Sequence, residues 1–420
     1  MQVFQLIPEA KEVKLNDFLE GVEDYLAKYL SKPFSSQIVE FCVKLSEALF
    51  SSPKTRRFPE VLALAYWMRK SELLRLRNQF KTLRSENTIV VPRGLIFHIS
   101  PSNVDTIFMY SWLLSFLSGN RNIIRLSQHI TPAIKAVIEI FSSILADPSF
   151  EKLRGNTYMV TYGHQTEITM AISAKADGRV IWGSDTTVSS LRAVPIPPHC
   201  KEITFPDRFS FAVLKPQAFL ALAPQQQRQL LERFFSDAYW FDQMACSSPR
   251  LIVWCDNKEM AQQASSTFFN LLRKIVHSNH YTVDTGIALN KIAYAYQAIL
   301  DMAVSDYNFY GNDLCVLTLN SLTDFRRDHC GGGLFFQFFC EDLAKLIDFV
   351  ERKDQTVAYF GLAQKELEDL ALLLNGRGVD RFVPFGQSLN FNRFWDGYDL
   401  LHEMTRIVYL EPYHRNYFQS

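Results

Sequence analysis

Through roughly the first 85 residues, apolar positions recur at helical spacing. In LNDFLEGVEDYLAKYL, Leu15, Phe18, Leu19, Val22, Tyr25 and Leu26 share one stripe, the pattern of a helix that packs by that face. Residues 1–88 are therefore expected to form a helical N-terminal segment. Its basic end, WMRKSELLRLRNQFKTLR, reads as a solvated helix face, with contact to a negatively charged ligand as the alternative. From Asn87 onward, short apolar runs alternate with helical patterns. TIVVPRGLIFHIS and RNIIRLS predict strands, VDTIFMYSWLLSFLSG and TPAIKAVIEIFSSILAD predict helices, and TYMVTYG and RVIWGS predict strands again. That alternation signals crossover units on a parallel sheet, hence an α/β fold. A second segment of the same sort begins near Phe209, and FVPFGQSLNFNRFWDGYDLLHEMTR closes the chain. The expected divisions are 1–88, 89–208, 209–380 and 381–420. No internal repeat or low-complexity linker separates them.

Composition narrows the function. A chain of 420 residues exceeds what one core usually supports, which predicts two domains. With 48% hydrophobic and 21% charged residues it can bury cores and is not disordered by composition. Lys plus Arg and Asp plus Glu balance at 44 each, so no overall field draws in nucleic acid or an anionic membrane. The longest apolar run, IFMYSWLLSFL, is broken by serines and is shorter than the ~20 residues of a membrane span. The N-terminus lacks the basic-then-apolar layout of a signal peptide, and a cytoplasmic location is expected. Seven scattered cysteines do not resemble a disulfide framework. No Cys-x-x-Cys pair and no His at zinc-finger spacing occurs, so no metal is expected.

The chemistry centres on WFDQMACSSPRLIVWCD. Polar Asp242, Gln243, Ser247 and Ser248 surround Cys246, which suits the wall of a site better than a sealed core. A nucleophilic cysteine reacts as its thiolate, and a position where a loop enters a helix would favour that form. Cys255, in the apolar run LIVWC, is explained by a buried strand. Asn103, between a predicted strand and a predicted helix, reads as a helix cap.

Three positions in HISPSNVDTIFMYSWLLSFLSGNRNIIRLSQ, namely Asn103, Gly119-Asn120 and Arg125, resemble the aldehyde dehydrogenase superfamily. Its members carry an Asn in the first turn, a Gly-Asn before the next strand and a Lys at that strand's end. Gly183 and Ser184 in VIWGSD match the family's turn near the cofactor phosphates. DQMACSSP around Cys246 and the terminal DRFVPFGQSLNFNRFWDGYDLL look most like one branch, the LuxC-like acyl-CoA reductases. The similarity runs over roughly residues 90 to 410. It implies an aldehyde dehydrogenase-like fold, with a Rossmann-type cofactor domain in 89–208, a catalytic domain with the nucleophilic Cys246 in 209–380, and a closing segment in 381–420. Asn103 would then donate to the oxyanion alongside the Cys246 backbone N–H, a contact often worth ~3 kcal/mol.

Oxidising members use a Glu to activate water. Aligning their motif on KEITFPDRFSF places Thr204 at the Glu and Arg208 at the Lys, while Glu202 restores a carboxylate if the alignment shifts. Without a base there, the acyl-enzyme would exchange with a thiol instead. The reading that follows is reduction of an acyl-CoA or carrier-bound acyl thioester to an aldehyde, with a partner enzyme supplying the acyl group and a homo-oligomer as further expectations. Relatives that prefer NAD place a Glu where Gln128 stands. With Arg125 as a planar phosphate donor and Ser127 between them, NADPH is expected. The chain lacks Gly-x-Gly-x-x-Gly, which excludes an ordinary dinucleotide fingerprint. The glycines of DHCGGGLFFQFF read either as a bend before a buried strand or as a cofactor contact, with Asp328 as the substitute for a family Glu. Trp395 and Tyr398 read as packing residues, with a wall of the acyl pocket as the alternative. The rivals are an aldehyde-oxidising dehydrogenase with the same cysteine and a non-catalytic subunit of a multienzyme complex.

Overall fold

A computed structural model describes residues 1–28, 31–101 and 106–411. The chain divides into two compact units, Met1–Pro206 with Phe391–Ser420, and Asp207–Asn390.

The N-terminal stretch is not wholly helical. It opens with strands β1 (Gln2–Ile7) and β2 (Lys11–Lys14), followed by helices α1 (Leu15–Lys28), α2 (Ser36–Ser51), α3 (Pro59–Trp67) and α4 (Lys70–Lys81). In β1, alternate residues Val3, Gln5 and Ile7 are buried. A glutamine at the middle inward position and an outward Phe4 hide this two-residue period from a hydrophobicity reading. The α1 stripe packs as expected through Leu15, Phe18 and Val22, with Phe18 edge-on to Tyr158 at 5.6 Å. The side chains of Tyr25 and Leu26 lie outside the described set.

The rest of the first unit contains β3 (Thr88–Pro92), β4 (Leu95–Ile99), helix α5 (Ile107–Leu117), β5 (Arg121–Leu126), α6 (Pro132–Leu145), β6 (Thr157–Thr161), α7 (Thr166–Ser173), β7 (Gly178–Trp182), α8 (Asp185–Arg192) and β8 (Lys201–Phe205). The main sheet runs β2-β1-β6-β5-β4-β7-β8. Strands β6, β5, β4, β7 and β8 are mutually parallel, and β1 lies antiparallel to β6. Winding therefore starts at β4, moves out through β5 to β6, and returns to the other side of β4 for β7. This reversal opens a crevice at the carboxyl ends of β4 and β7, where such sheets bind ligands. Helix α5 is apolar on every side and buried along nearly its whole length, as a helix sandwiched in a core must be. The turn that follows needs Gly119: φ is +84°, and a Cβ there would sit 2.6 Å from the Ser31 carbonyl oxygen. The closing segment returns to this unit, its strand Thr405–Tyr409 pairing antiparallel with β3. Trp395 packs on Tyr110 at 5.5 Å and Tyr398 on Phe205 at 5.8 Å.

The second unit contains β9 (Phe209–Leu214), α9 (Pro216–Leu220), α10 (Pro224–Tyr239), β10 (Leu251–Cys255), α11 (Lys258–Ser278), α12 (Thr285–Asp301), β11 (Val304–Phe309), β12 (Cys315–Leu319), β13 (Leu334–Cys340), β14 (Asp354–Phe360) and β15 (Arg381–Pro384). Its sheet, β11-β12-β13-β10-β9-β14-β15, is parallel except for β11. The runs FSFAVL and LIVWC are buried throughout, because helices cover both faces of the sheet. Among the described residues, no helix is long and apolar enough to cross a membrane.

Candidate active site

After α10 the backbone takes an unusual course. Phe241, Asp242 and Gln243 have φ of 58°, 52° and 64°, three successive non-glycine residues in left-handed conformations that cost about 1–3 kcal/mol each. Side-chain and backbone bonds hold them there. The buried Gln243 amide donates to the carbonyls of Pro249 and Leu334, each at 3.0 Å, and accepts from Gly333 N–H at 3.0 Å. Tyr281 donates to the Asp242 carboxylate at 2.9 Å, and Gly332 N–H donates to the Asp242 carbonyl at 2.8 Å. Gly331, Gly332 and Gly333 all have positive φ, and a Cβ on Gly331 would lie 2.4 Å from that same carbonyl. The triple glycine thus backs the cysteine loop by close main-chain approach. Asp328 is committed to an ion pair with Arg326. His329 is half-buried, donating through Nε2 to the Leu334 carbonyl and accepting at Nδ1 from Gly331 N–H. Burial and then the Arg250 charge hold its pKa well below the usual imidazole range, so it stays neutral.

Cys246 sits half-buried in the turn this strained segment leads into, closed by Ser248 N–H on the Ala245 carbonyl at 3.0 Å. The chain then passes into β10 and not into a helix, which corrects the helix-entry expectation. Pro249 supplies no N–H and disfavours helix in the residue before it, while LIVWC commits to the buried sheet. Other groups favour a thiolate in this position. Gln355 Nε2 donates to Cys246 Sγ at 3.4 Å, and Ser210 Oγ donates to the Cys246 carbonyl at 2.7 Å. Arg250 is buried, its guanidinium donating to the carbonyls of Met244, Ala245 and Arg208 at 3.4, 3.3 and 3.2 Å. Burial lowers the Arg250 pKa, and the Cys246 thiol is first among the groups that push it back up. Such coupling acts both ways, so the guanidinium favours the thiolate.

A buried carboxylate ties this turn to the end of the unit. Asp237 Oδ2 and Oδ1 accept from the backbone N–H of Gly386 and Ser388 at 2.6 and 2.9 Å, and its carbonyl accepts from Ser248 Oγ at 2.8 Å. Burial pushes its pKa up to about 7, against the pull of those two amides. None of the seven cysteines is in a disulfide. Cys255 is buried in β10, in register with Cys340 of β13.

In the first unit, the candidate cofactor residues collect at the carboxyl edge of the sheet. Arg125 closes β5 with its guanidinium donating to the carbonyls of Tyr162 and Gly163, both at 3.4 Å. Ser127 Oγ accepts from His129 N–H at 3.2 Å, and Gln128 is exposed. Ser184 caps α8, its hydroxyl accepting from Thr187 N–H at 3.3 Å. A Cβ on Gly183 would meet Thr187 Cγ2 at 2.9 Å, so glycine lets the helix start close to the strand. The buried hydroxyls of Ser100, just after β4, and Thr161, at the end of β6, lack hydrogen-bond partners among the described residues. A helix N-terminus, a guanidinium and unused hydroxyls at the reversal point of a doubly wound sheet suit the phosphates and ribose of a dinucleotide. Asn103 lies outside the described residues.

Glu202 is held between Arg179 and Arg192, its Oε2 taken by the buried Arg179 and its Oε1 by Arg192 at 3.1 Å. Both oxygens of this carboxylate are thus occupied by ion pairs. Thr204 lies in β8, and Arg208 pairs with Asp380. Among the described residues, no group of three or more His, Cys, Asp or Glu is arranged to hold a metal.

The sequence reading missed Gln355, Arg250 and Asp237. Arg250 stands four residues after Cys246 in the same motif, where a basic residue beside a candidate thiolate was a usable signal. The polar run Asp354-Gln355-Thr356 at the start of an otherwise apolar strand was another, but its proximity to Cys246 across 109 residues could not be read from it.

A family model described as "Acyl-CoA reductase (LuxC)" matches residues 11–407. No curated protein sequence matches the chain. Solved structures share the fold at low identity. The bifunctional proline utilization A protein aligns with TM-score 0.65 and 13% identity over 94% of this chain and 45% of its own, so this chain spans about half of that relative's length. A NAD-dependent benzaldehyde dehydrogenase from Corynebacterium glutamicum aligns with TM-score 0.64 and 12% identity, covering 98% of this chain and 94% of its own. The glyceraldehyde-3-phosphate dehydrogenase GapN from Methanocaldococcus jannaschii, complexed with NADP, aligns with TM-score 0.65 and 12% identity, covering 97% and 98%. The α/β class read from the residues and the aldehyde dehydrogenase-like fold implied by the resemblance are the ones observed.

Proposed function

Because the chain belongs to the acyl-CoA reductase (LuxC) family, a family of oxidoreductases, we propose that it reduces an acyl thioester to an aldehyde with NADPH through a covalent acyl group on Cys246. The observation that carries this reading is the thiol itself: half-buried, facing the Gln355 amide and coupled to the buried Arg250 charge. A thiolate so stabilised attacks the thioester carbonyl, and the carrier thiol departs with a proton while the acyl group stays on Sγ. Asn103, carried over from the resemblance, and the Cys246 backbone N–H would donate to the oxyanion during that attack. When bound, NADPH supplies the hydride that takes the acyl group to the aldehyde level. The chain's part is then to release the product by expelling Sγ as a thiolate, which the same two neighbours favour.

The commitment of Glu202 to two arginines, with Thr204 at the position of the family's water-activating Glu, supports reduction over oxidation. Arg125 and the neutral Gln128 support NADPH over NADH, and Ser127, Gly183 and Ser184 complete the proposed cofactor edge. Self-association belongs to the same reading, supported by the exposed apolar stripe Leu289, Ile292, Tyr296 and Leu300 on α12.

Intact-mass measurement after incubation with a panel of acyl-CoAs, without nicotinamide, tests the mechanism. One acyl group should appear on the parent and on Cys255→Ala, and none on Cys246→Ala. An acylated Cys246→Ala protein would overturn it.

A further inference from the structure

The charges of this chain cancel overall, but not locally. Residues 54–84 hold nine Lys or Arg against two Glu. Much of that surplus is ordered along one helix. On α4, Lys70, Leu74, Arg77 and Lys81 are all exposed at spacings of four, three and four, so they share a face, while Leu73 and Leu76, along one flank of it, are buried and anchor the helix in the core. Arg84, three residues on, is exposed too. Other cations of the segment are engaged: Arg75 with Glu72 at 2.8 Å and Lys54 with Glu139 at 2.6 Å. Lys70, Arg77, Lys81 and Arg84 have no acidic partner among the described residues. From Lys70 to Lys81 the helix rises ~17 Å, at ~1.5 Å per residue.

We propose that this face of α4 docks an acidic acyl-carrier protein, which presents the acyl group as a thioester on its phosphopantetheine arm. The proposal rests on the acyl-thioester reading above and selects the donor within it. The phosphates of a coenzyme A molecule form a compact anion that two or three convergent cations would satisfy. A basic stripe ~17 Å long with an exposed leucine at its middle instead matches one acidic helix lying alongside it. Unlike a nucleic-acid surface, the stripe interleaves an aliphatic side chain and not stacking aromatics among its cations. Complementary charge acts chiefly on encounter rate and is screened by salt, so the preference should show in kcat/KM and fade as ionic strength rises.

The test compares one acyl chain on two donors, a bacterial fatty-acid carrier protein and CoA, for the parent, the reversal Lys70→Glu/Arg77→Glu/Lys81→Glu and the neutral triple alanine. The reversal should lower kcat/KM with the carrier at least tenfold and leave acyl-CoA within twofold, with the alanine variant between. Salt at 0.5 M should erase most of the parent's carrier preference. Fluorescence anisotropy of labelled carrier, which needs no turnover, should show the same ranking in binding. Should the parent reduce neither donor while binding ranks as expected, the catalytic reading fails and the docking surface stands. Equal carrier efficiency or binding in parent and reversal would overturn the proposal, as would equal losses on both donors. Tighter binding of duplex DNA or phosphatidylserine vesicles than of the carrier at the same salt would also overturn it. Unchanged thermal midpoints certify that the variants fold.

Discussion

Replacing Gln355 by Leu removes a side-chain donor at Cys246 Sγ, a contact of 3.4 Å, while keeping a side chain of similar size in a buried position. A hydrogen bond to a charged group is worth about 1.5–3 kcal/mol. If the amide favours the thiolate over the thiol by that amount, its loss moves the thiolate titration upward by about one to two pH units, at ~1.36 kcal/mol per unit. In the range where the thiolate is the minor form, the rate of any reaction through it should fall about 10- to 100-fold. The substitution also strips Thr356 Oγ1 of its acceptor at 3.2 Å, a cost of about 1 kcal/mol that a melting curve reads separately. The assay is iodoacetamide alkylation of Cys246, followed by peptide mass against pH in parent and variant. Single-turnover acylation by acyl-CoA at pH 7 runs in parallel. Gln355→Glu sharpens the case, because a carboxylate beside the sulfur should displace the profile still further upward. Superimposable profiles for the parent and both variants would refute the claim that Gln355 tunes the thiol.

Gln128→Glu should reverse or erase a preference for NADPH, since a carboxylate repels a 2′-phosphate and a tenfold swing needs only ~1.4 kcal/mol; equal preferences in parent and variant would remove Gln128 from the ribose. Glu202→Gln should destabilise the protein by about 3 kcal/mol or more in denaturant unfolding, because it leaves the buried Arg179 without its counter-ion; an unchanged unfolding free energy would show that this pair does not hold the fold. For Asp237 the folded pKa, about 7, lies above its ordinary value of 3.8. Its contribution to stability is therefore fully present below that ordinary value and is lost as pH rises toward 7. The melting temperature of the parent relative to Asp237→Asn should accordingly fall between pH 4 and 7, and a constant difference over that interval would show that the carboxylate does not titrate there.

Much of the framework is local and was readable without a structure. Alternating runs such as RNIIRLS, TYMVTYG and RVIWGS form the parallel strands they suggest, because each is long and apolar enough to be buried on both faces. Gly119 and Gly183 mark turns where a positive φ or a close approach leaves little choice. The environment of Cys246 could be narrowed by its polar neighbours, and Cys255 could be assigned to the core by its apolar ones. What the linear pattern could not decide depends on residues far apart in the chain. Strand β1 escaped notice because its inward positions include a glutamine, tolerable only in the particular sheet that receives it. The direction taken after Cys246 was misjudged because local polarity does not say whether a turn enters a helix or a strand; Pro249 and the sheet between β9 and β13 decide that. Gln355, Asp237 and the triple glycine act on the nucleophile turn from 109, 9 and 85 residues away. Hydrophobic periodicity reports which face of an element is buried, because burial depends on each element's own pattern. The groups that polarise a thiol are set by which elements become neighbours, and only the packed chain determines that.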